Sequence, residues 1–171
     1  MPNYCENDLV ISGPEDALAA FMDAARAERE PGADEAFKAE GNAQYIPICI
    51  PRLIPVPEEI ANCRTPLPCV GIGAYGMGDA EVEWRYEHWG TQSPLLAVRS
   101  ETRSPGQYTA TCDTWWSPPL AAFSAISAAF PLLTFDLRYY ERGMSFQGQA
   151  VLRAGRVLYE WEGRYDGDRG G

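Results

Sequence analysis

An alternation of apolar and polar residues from Leu133 to Tyr140 is the feature that most constrains the fold. Successive side chains of a strand point to opposite faces, so this pattern predicts a strand with one buried and one solvated face. The predicted buried face comprises Leu133, Phe135, Leu137 and Tyr139. A face of this kind needs an apolar layer against it, and amphipathic helices are the simplest layer available.

Two segments have the apolar spacing of amphipathic helices. The first is predicted to start at Pro14, which suits the first turn, and to end at Pro31-Gly32. The second is predicted to have Ser117 as its N-cap and to stop at Pro131. The two apolar stripes are Leu18, Phe21, Met22 and Ala25, and then Leu120, Phe123, Ile126 or Ser127, and Phe130.

Other segments predict five more strands around these helices. Thr102–Gly106 is predicted to be the turn of a hairpin. The predicted strands are Tyr4–Ile11, Leu95–Glu101, Gln107–Trp115, Met144–Arg153 and Arg156–Glu162. Apart from one long insertion, the order of elements is βαββαβ followed by two more strands. We therefore expect an α+β, ferredoxin-like split βαβ antiparallel sheet with two helices on one face and extra C-terminal strands.

Residues 30–92 are predicted to form a Pro/Gly-rich insertion within a single domain that spans residues 1–162. A short edge strand is expected within Gln44–Ile50 and one helical turn at residues 57–60. A short helix is expected near residues 79–88, with Asp79 as its N-cap. Residues 163–171 are rich in Gly, Asp and Arg and are predicted to be a disordered tail.

The net charge of −10 restricts the classes of partner. An acidic chain lacks the basic footprint of a typical nucleic-acid-binding protein and of a polybasic membrane surface. There is no apolar run long enough to span a bilayer, and the first twenty residues contain acids without Lys or Arg, unlike a secretory signal. We therefore expect a cytoplasmic protein that contacts neither nucleic acid nor membrane directly.

Two patterns are compatible with metal or cofactor binding, but their context argues against it. Cys63 and Cys69 are spaced more widely than most zinc-ligand pairs, and His88 is the single histidine of the chain. Gly71–Gly76 matches G-x-G-x-x-G, but no uninterrupted strand precedes it and no helix begins within it. The sequence therefore predicts no metal, no cofactor and no enzymatic activity.

The candidate partner-binding residues combine carboxylates with tryptophans that could serve as apolar anchors. They are Asp79, Glu81, Glu83, Glu87, Trp89 and Trp116. Glu81 and Arg85 are also predicted to form an i, i+4 ion pair. Two alternatives stay open. One is a small hydrolase-like enzyme that uses Glu83, Glu87 and His88. The other is a nucleic-acid-handling accessory module that uses the arginines Arg138, Arg142, Arg153 and Arg156.

Several short motifs follow one another along the chain. They are Met1–Asn7 with Leu9 and Ser12–Pro14, Ile54–Ile60, Trp89–Thr91, Thr114–Pro119, Phe130–Phe135, and Tyr140–Phe146 with Gly148. As a set they resemble the YubB ferredoxin-like family of phage- and plasmid-associated proteins of unknown function, which includes Api-type phage proteins. Tyr4 stands where that family usually has Trp, and Gln92-Ser93-Pro94 departs from its usual aromatic and basic residues. The resemblance implies the fold and a mobile-element setting, and it supplies no catalytic residues.

Charge and this setting together suggest a function. A compact acidic surface can occupy a cationic channel that otherwise holds DNA or RNA. We therefore expect a non-catalytic acidic binding protein of a phage or mobile element. Its expected role is to inhibit a host nucleic-acid-binding defence complex, in the manner of an anti-CRISPR protein, in the host cell cytoplasm.

Overall fold

The computed structural model describes residues 3–28, 45–61 and 79–167. Five helices and eight strands lie within these ranges. In chain order they are β1 (Tyr4–Ser12), α1 (Glu15–Ala25), β2 (Ala27–Glu28), β3 (Tyr45–Ile46), α2 (Ile50–Leu53), α3 (Glu58–Ala61), α4 (Asp79–Trp89), β4 (Leu96–Ser104), β5 (Gln107–Trp115), α5 (Leu120–Ala129), β6 (Thr134–Glu141), β7 (Phe146–Arg153) and β8 (Arg156–Arg164).

Six strands form one antiparallel sheet in the order β4-β5-β1-β6-β7-β8. The strands β4, β5, β1 and β6, together with α1 and α5, have the βαββαβ order and the antiparallel arrangement of a ferredoxin-like domain. β7 and β8 extend this sheet beyond β6. The predicted α+β fold class is therefore confirmed, with β4 and β8 as the two edge strands of this sheet.

The core lies between one face of the sheet and the two helices α1 and α5. All four residues of the predicted β6 face are fully buried, and so are Leu9 and Ile11, which lie opposite Leu137 and Phe135. The ring of Phe21 on α1 packs edge-on against Phe135, with ring centroids 5.5 Å apart. The predicted apolar stripe of α1 is buried in full. The alternation in β6 and the helical spacing in α1 therefore predict the two facing layers of one core.

The first helix ends earlier than its sequence indicates. Arg26 adopts an extended conformation after Ala25, and Ala27–Glu28 then pairs with Tyr45–Ile46 as a second, two-stranded sheet. The predicted edge strand at Gln44–Ile50 is correspondingly shorter, because Ile50 already begins α2. The predicted end of the helix at Pro31-Gly32 is therefore wrong, because Ala27–Glu28 forms a strand instead of continuing the helix.

Two further boundaries differ from the predictions. The β4–β5 turn is tighter than Thr102–Gly106, because β4 continues to Ser104 and Gly106 has a left-handed φ of 69°. Helix α5 begins at Leu120, so Ser117 is not its N-cap. Instead the Ser117 hydroxyl donates a hydrogen bond to the Gly90 carbonyl at 2.7 Å and ties the β5–α5 loop to the end of α4.

The predicted disorder from Gly163 onward is wrong for the first residues of that segment. Gly163 and Arg164 belong to β8, opposite Gln147 and Phe146. The Tyr165 amide also donates to the Ser145 carbonyl at 3.0 Å. In the part of the chain that the structure describes, no helix is long and apolar enough to cross a membrane.

Candidate functional site

Helix α4 carries most of the predicted partner-binding residues. It packs against α3 and α5. Glu83 and Glu87 are exposed one turn apart, as expected for residues at i and i+4. Neither carboxylate forms an ion pair with another described residue. Asp79 is the first residue of the helix, and its side chain lies outside the described set. The helix therefore presents two carboxylates, those of Glu83 and Glu87, to solvent.

Glu81 differs from these two carboxylates because its charge is locally compensated. Its Oε1 accepts a hydrogen bond from Arg85 Nη2 at 2.5 Å, so the predicted i, i+4 pair is confirmed. The same guanidinium donates to the Gln92 carbonyl at 3.2 Å and lies 4.9 Å from the ring centre of Trp89. Glu81 thus fixes Arg85 between α4 and the following loop, and its contact with a partner stays a prediction.

Trp89 is part of the core. Its side chain is 0% exposed, and its indole Nε1 donates to the Ile54 carbonyl at 3.0 Å. The indole also packs edge-on against Trp84, with ring centroids 6.0 Å apart. The prediction that Trp89 is an exposed anchor is wrong, because the residues that follow α2 cover it. Sequence spacing indicates which helix face carries Trp89 but not what packs on that face.

Trp116 keeps a position suited to contact with a partner. It is half-buried and follows Trp115, the last residue of β5. Its backbone leaves the strand with a left-handed φ of 70°, while its amide donates to the Asn3 carbonyl at 2.9 Å. Because the neighbouring Ser117 is bonded to Gly90, the backbone of Trp116 lies near the C-terminal end of α4, where Glu87 is located.

The residues of the hydrolase alternative do not form an enclosed site. Glu83, Glu87 and His88 are all exposed on α4. The His88 ring stacks on Trp84 at 4.2 Å between centroids, and its Nδ1 lies 2.9 Å from the Trp84 carbonyl. Since a carbonyl oxygen only accepts, Nδ1 must carry the proton. This histidine is held by its own helix rather than oriented toward a nucleophile, so the geometry gives the alternative no support.

The arginines of the nucleic-acid alternative are also dispersed. Arg142 lies in the turn between β6 and β7, whereas Arg153 and Arg156 flank the turn at the opposite end of β7. A strand of this length separates its two ends by roughly 25 Å. Arg138 lies on β6 with its side chain exposed. These residues do not form the single basic patch that the alternative requires.

The metal and dinucleotide patterns considered above, at Cys63, Cys69 and Gly71–Gly76, lie outside the described residues. Among residues that are described, no group of three or more His, Cys, Asp or Glu side chains is placed to hold a metal ion.

The total net charge does not show how charge is distributed along the chain. Residues 1–89 contain sixteen acidic and six basic residues, a net charge of −10. Residues 90–171 contain eight of each and are neutral. The helices α1, α3 and α4 belong to the first part, whereas the second supplies five strands of the main sheet and α5. We refer to the exposed acids of α1, α3 and α4 as the acidic helical layer: Glu15, Asp16, Asp23, Glu58, Glu59, Glu83 and Glu87.

A second feature missed by sequence reasoning is the outer strand β8. Its large apolar side chains remain exposed, with Trp161 at 47% and Tyr159 at 51%. The sequence predicts a strand at Arg156–Glu162 but does not predict this exposure. The sequence feature that distinguishes this strand from a half-buried one is the run Val157-Leu158-Tyr159, which is apolar without alternation.

Comparison with known proteins places this geometry in a structural class. The family model for the ferredoxin-like domain in Api92-like protein matches residues 97–168. The crystal structure of protein api92 from Yersinia pseudotuberculosis superposes with a TM-score of 0.65 at 10% sequence identity, covering 99% of this chain and 100% of that one. No curated protein matches the chain.

The chain is thus an α+β protein with a ferredoxin-like domain, the class that its topology already defined. Within that class, it is similar to Api92-like proteins in the sequence of its C-terminal half and to protein api92 in its fold.

Proposed function

We propose that this chain is a non-catalytic binding protein whose acidic helical layer engages a basic surface on a partner protein. The observation that carries the proposal is the segregation of charge: the whole net charge of −10 belongs to residues 1–89, and residues 90–171 are neutral. A one-sided charge distribution orients a molecule as it approaches a cationic cleft and raises the association rate.

The partner that fits this surface best is a protein whose basic cleft binds a polynucleotide. Seven exposed carboxylates on three helices offer a cleft of this kind repeated negative charges, as a phosphate backbone does. The finer proposal is a mobile-element protein that inhibits a nucleic-acid-binding defence complex in the host cytoplasm. It is supported by the charge and by the motif resemblance.

An apolar contact beside the acids would provide specificity. Trp116 is half-buried, and the hydrogen bond between Ser117 and Gly90 places its backbone near the C-terminal end of α4. Interface energy concentrates in a few large side chains, and tryptophan is enriched among them. In this proposal Glu83 and Glu87 steer the encounter, and Trp116 holds the complex.

The test is affinity capture from a host lysate with three forms of the full-length chain. They are the wild type, the double variant Glu83→Gln/Glu87→Gln, and the matched control Glu101→Gln/Asp166→Asn. Both double variants remove two carboxylates, but the control acids lie on β4 and just after β8. The proposal expects a nucleic-acid-binding protein that is retained by the wild type and the control and lost from the α4 variant. Added DNA or RNA should displace it.

Two results would overturn the proposal. One is equal retention by all three forms, which would exclude a role for α4. The other is a retained protein that polynucleotides do not displace, which would exclude competition for a nucleic-acid-binding cleft. A Trp116→Ala variant then separates steering from anchoring, because it should speed dissociation while leaving the association rate unchanged.

A further inference from the structure

The outer strand β8 carries a strip of exposed apolar side chains that the proposed function does not use. Half of the large apolar side chains exposed in the described part of the chain lie on this strand. They are Val157, Leu158, Tyr159 and Trp161. β8 pairs with β7 along one edge, and its other edge ends the sheet. An exposed edge with apolar side chains is a template for the addition of another strand.

The charges along β8 favour a second copy of the same strand. Glu160, Glu162 and Arg164 share one face of the strand, because residues two apart point the same way. When two copies pair antiparallel about a twofold axis at Glu162, Glu160 of each lies opposite Arg164 of the other. Two symmetric ion pairs then form across the junction, and opposite charges in direct cross-strand positions are stabilising.

The other face of β8 fits the same register. Trp161 of one copy lies opposite Gly163 of the other, and Tyr159 lies opposite Tyr165. Within each copy, the Trp161 indole lies along its own Gly163, where an added Cβ would be 2.8 Å from it. Pairing of an aromatic residue with a glycine of the neighbouring strand is a known way to stabilise strand pairs. This pairing also uses the regular part of β8, beyond the register shift between Val157 and Tyr159.

Long-range charge does not oppose self-association through this edge. Two molecules of net charge −10 repel each other, but residues 90–171, which include β8, carry no net charge. Contact through β8 keeps the two acidic helical layers apart. We propose that β8 is a self-association edge, on which a second copy docks antiparallel with Glu160 opposite Arg164.

A charge-swap experiment tests this register. Sedimentation of the full-length wild type should show a dimer of 18.9 kDa chains. Glu160→Arg alone or Arg164→Glu alone should raise the dissociation constant by more than about tenfold, because both symmetric pairs become like-charged. The double variant Glu160→Arg/Arg164→Glu should restore the dimer. The matched control Arg156→Glu changes charge equally on the same strand and should leave the dimer intact.

Glu162 gives an independent check of the axis. It faces its own copy in this register, so Glu162→Gln should remove a repulsion and tighten the dimer, while the amide oxygen still accepts from Tyr139. A wild type that is monomeric at every concentration up to its solubility limit would overturn the proposal, whatever else β8 binds. Failure of the folded charge-swap variant to recover the dimer would also overturn it. Neither outcome bears on the acidic helical layer, which these variants leave unchanged.

Discussion

The phenol oxygen of Tyr139 lies 3.2 Å from Oε2 of Glu162, although the two residues belong to strands that are not neighbours. The hydroxyl donates across β7 because Gly148, which lies directly between them in the register, has no side chain. The Tyr139 ring occupies that space. One glycine therefore allows a buried tyrosine on β6 to connect the core to the outer strand.

Substitution of Gly148 by alanine is expected to destabilise the fold by about 1–3 kcal/mol, as for other overpacked sites. An added Cβ would lie 2.4 Å from the Tyr139 ring and 2.5 Å from the Trp161 carbonyl oxygen, and the latter belongs to backbone that cannot move freely. Urea unfolding measures the effect. Gly167→Ala is the control, because its Cβ would meet Tyr165 only at 3.6 Å. Equal stability of the two variants would show that this contact is not tight.

Stability is expected to fall as the pH rises above about 9. Burial raises the pKa of the Cys5 thiol from 9.0 to about 12, and burial together with Glu162 raises the pKa of Tyr139. Between its unfolded and folded pKa values, each group is ionised in the unfolded chain and protonated in the native one. The unfolded state then binds fewer protons, so the free energy of unfolding decreases, by about 1.4 kcal/mol per pH unit for each group.

The variants Cys5→Ala and Tyr139→Phe isolate these contributions. The free energy of unfolding is measured at several pH values for each variant and for the wild type. Relative to the wild type, Cys5→Ala should show a shallower decline starting near pH 9, and Tyr139→Phe a shallower decline starting near pH 10, the ordinary tyrosine value. Parallel curves for all three proteins would contradict the assignment.

Loss of the Glu141 carboxylate should destabilise the β6–β7 turn. This side chain is 1% exposed and accepts hydrogen bonds from the amides of Gly143, at 3.1 Å, and Met144. Glu141→Ala leaves both amides without their acceptor, at an expected cost of about 1–3 kcal/mol. Glu83→Ala removes the same group from an exposed site on α4, where a change within about 0.5 kcal/mol is expected. Thermal or urea unfolding of both variants checks the difference.

Trp89→Phe should lower stability without changing partner binding. The substitution removes the indole donor to the Ile54 carbonyl and leaves a gap in the core, with an expected loss of about 1–3 kcal/mol. Trp116→Ala, at a half-buried site, should have the opposite profile: a smaller loss of stability and weaker binding of the captured partner. Weaker binding by the folded Trp89→Phe variant would contradict the assignment of Trp89 to the core.

The sequence allowed the fold to be predicted better than the surface, for a physical reason. Burial of Leu133, Phe135 and Leu137 depends on a local period that any sheet with one covered face imposes. Exposure of Trp161 and burial of Trp89 depend instead on which distant segment covers them, and no local pattern contains that information. Gly148 was a usable signal, since glycine inside a strand often marks a close approach of another group.

The same distinction applies to the candidate site. The Glu81–Arg85 pair follows from helical geometry alone and was predicted correctly. Counting charge in two parts of the chain shows, without a structure, that the net negative charge belongs to residues 1–89. Predicting that α1, α3 and α4 all carry exposed acids required the helix boundaries as well.

The most direct test of the central claim is the association rate of the captured partner as a function of ionic strength. Between 0.01 and 1 M salt, the Debye length falls from about 30 to about 3 Å, so steering by the acidic helical layer should be lost across this range. The wild-type rate should fall steeply with added salt, and the rate for Glu83→Gln/Glu87→Gln should start lower and fall less. A wild-type rate that does not respond to salt would contradict the account.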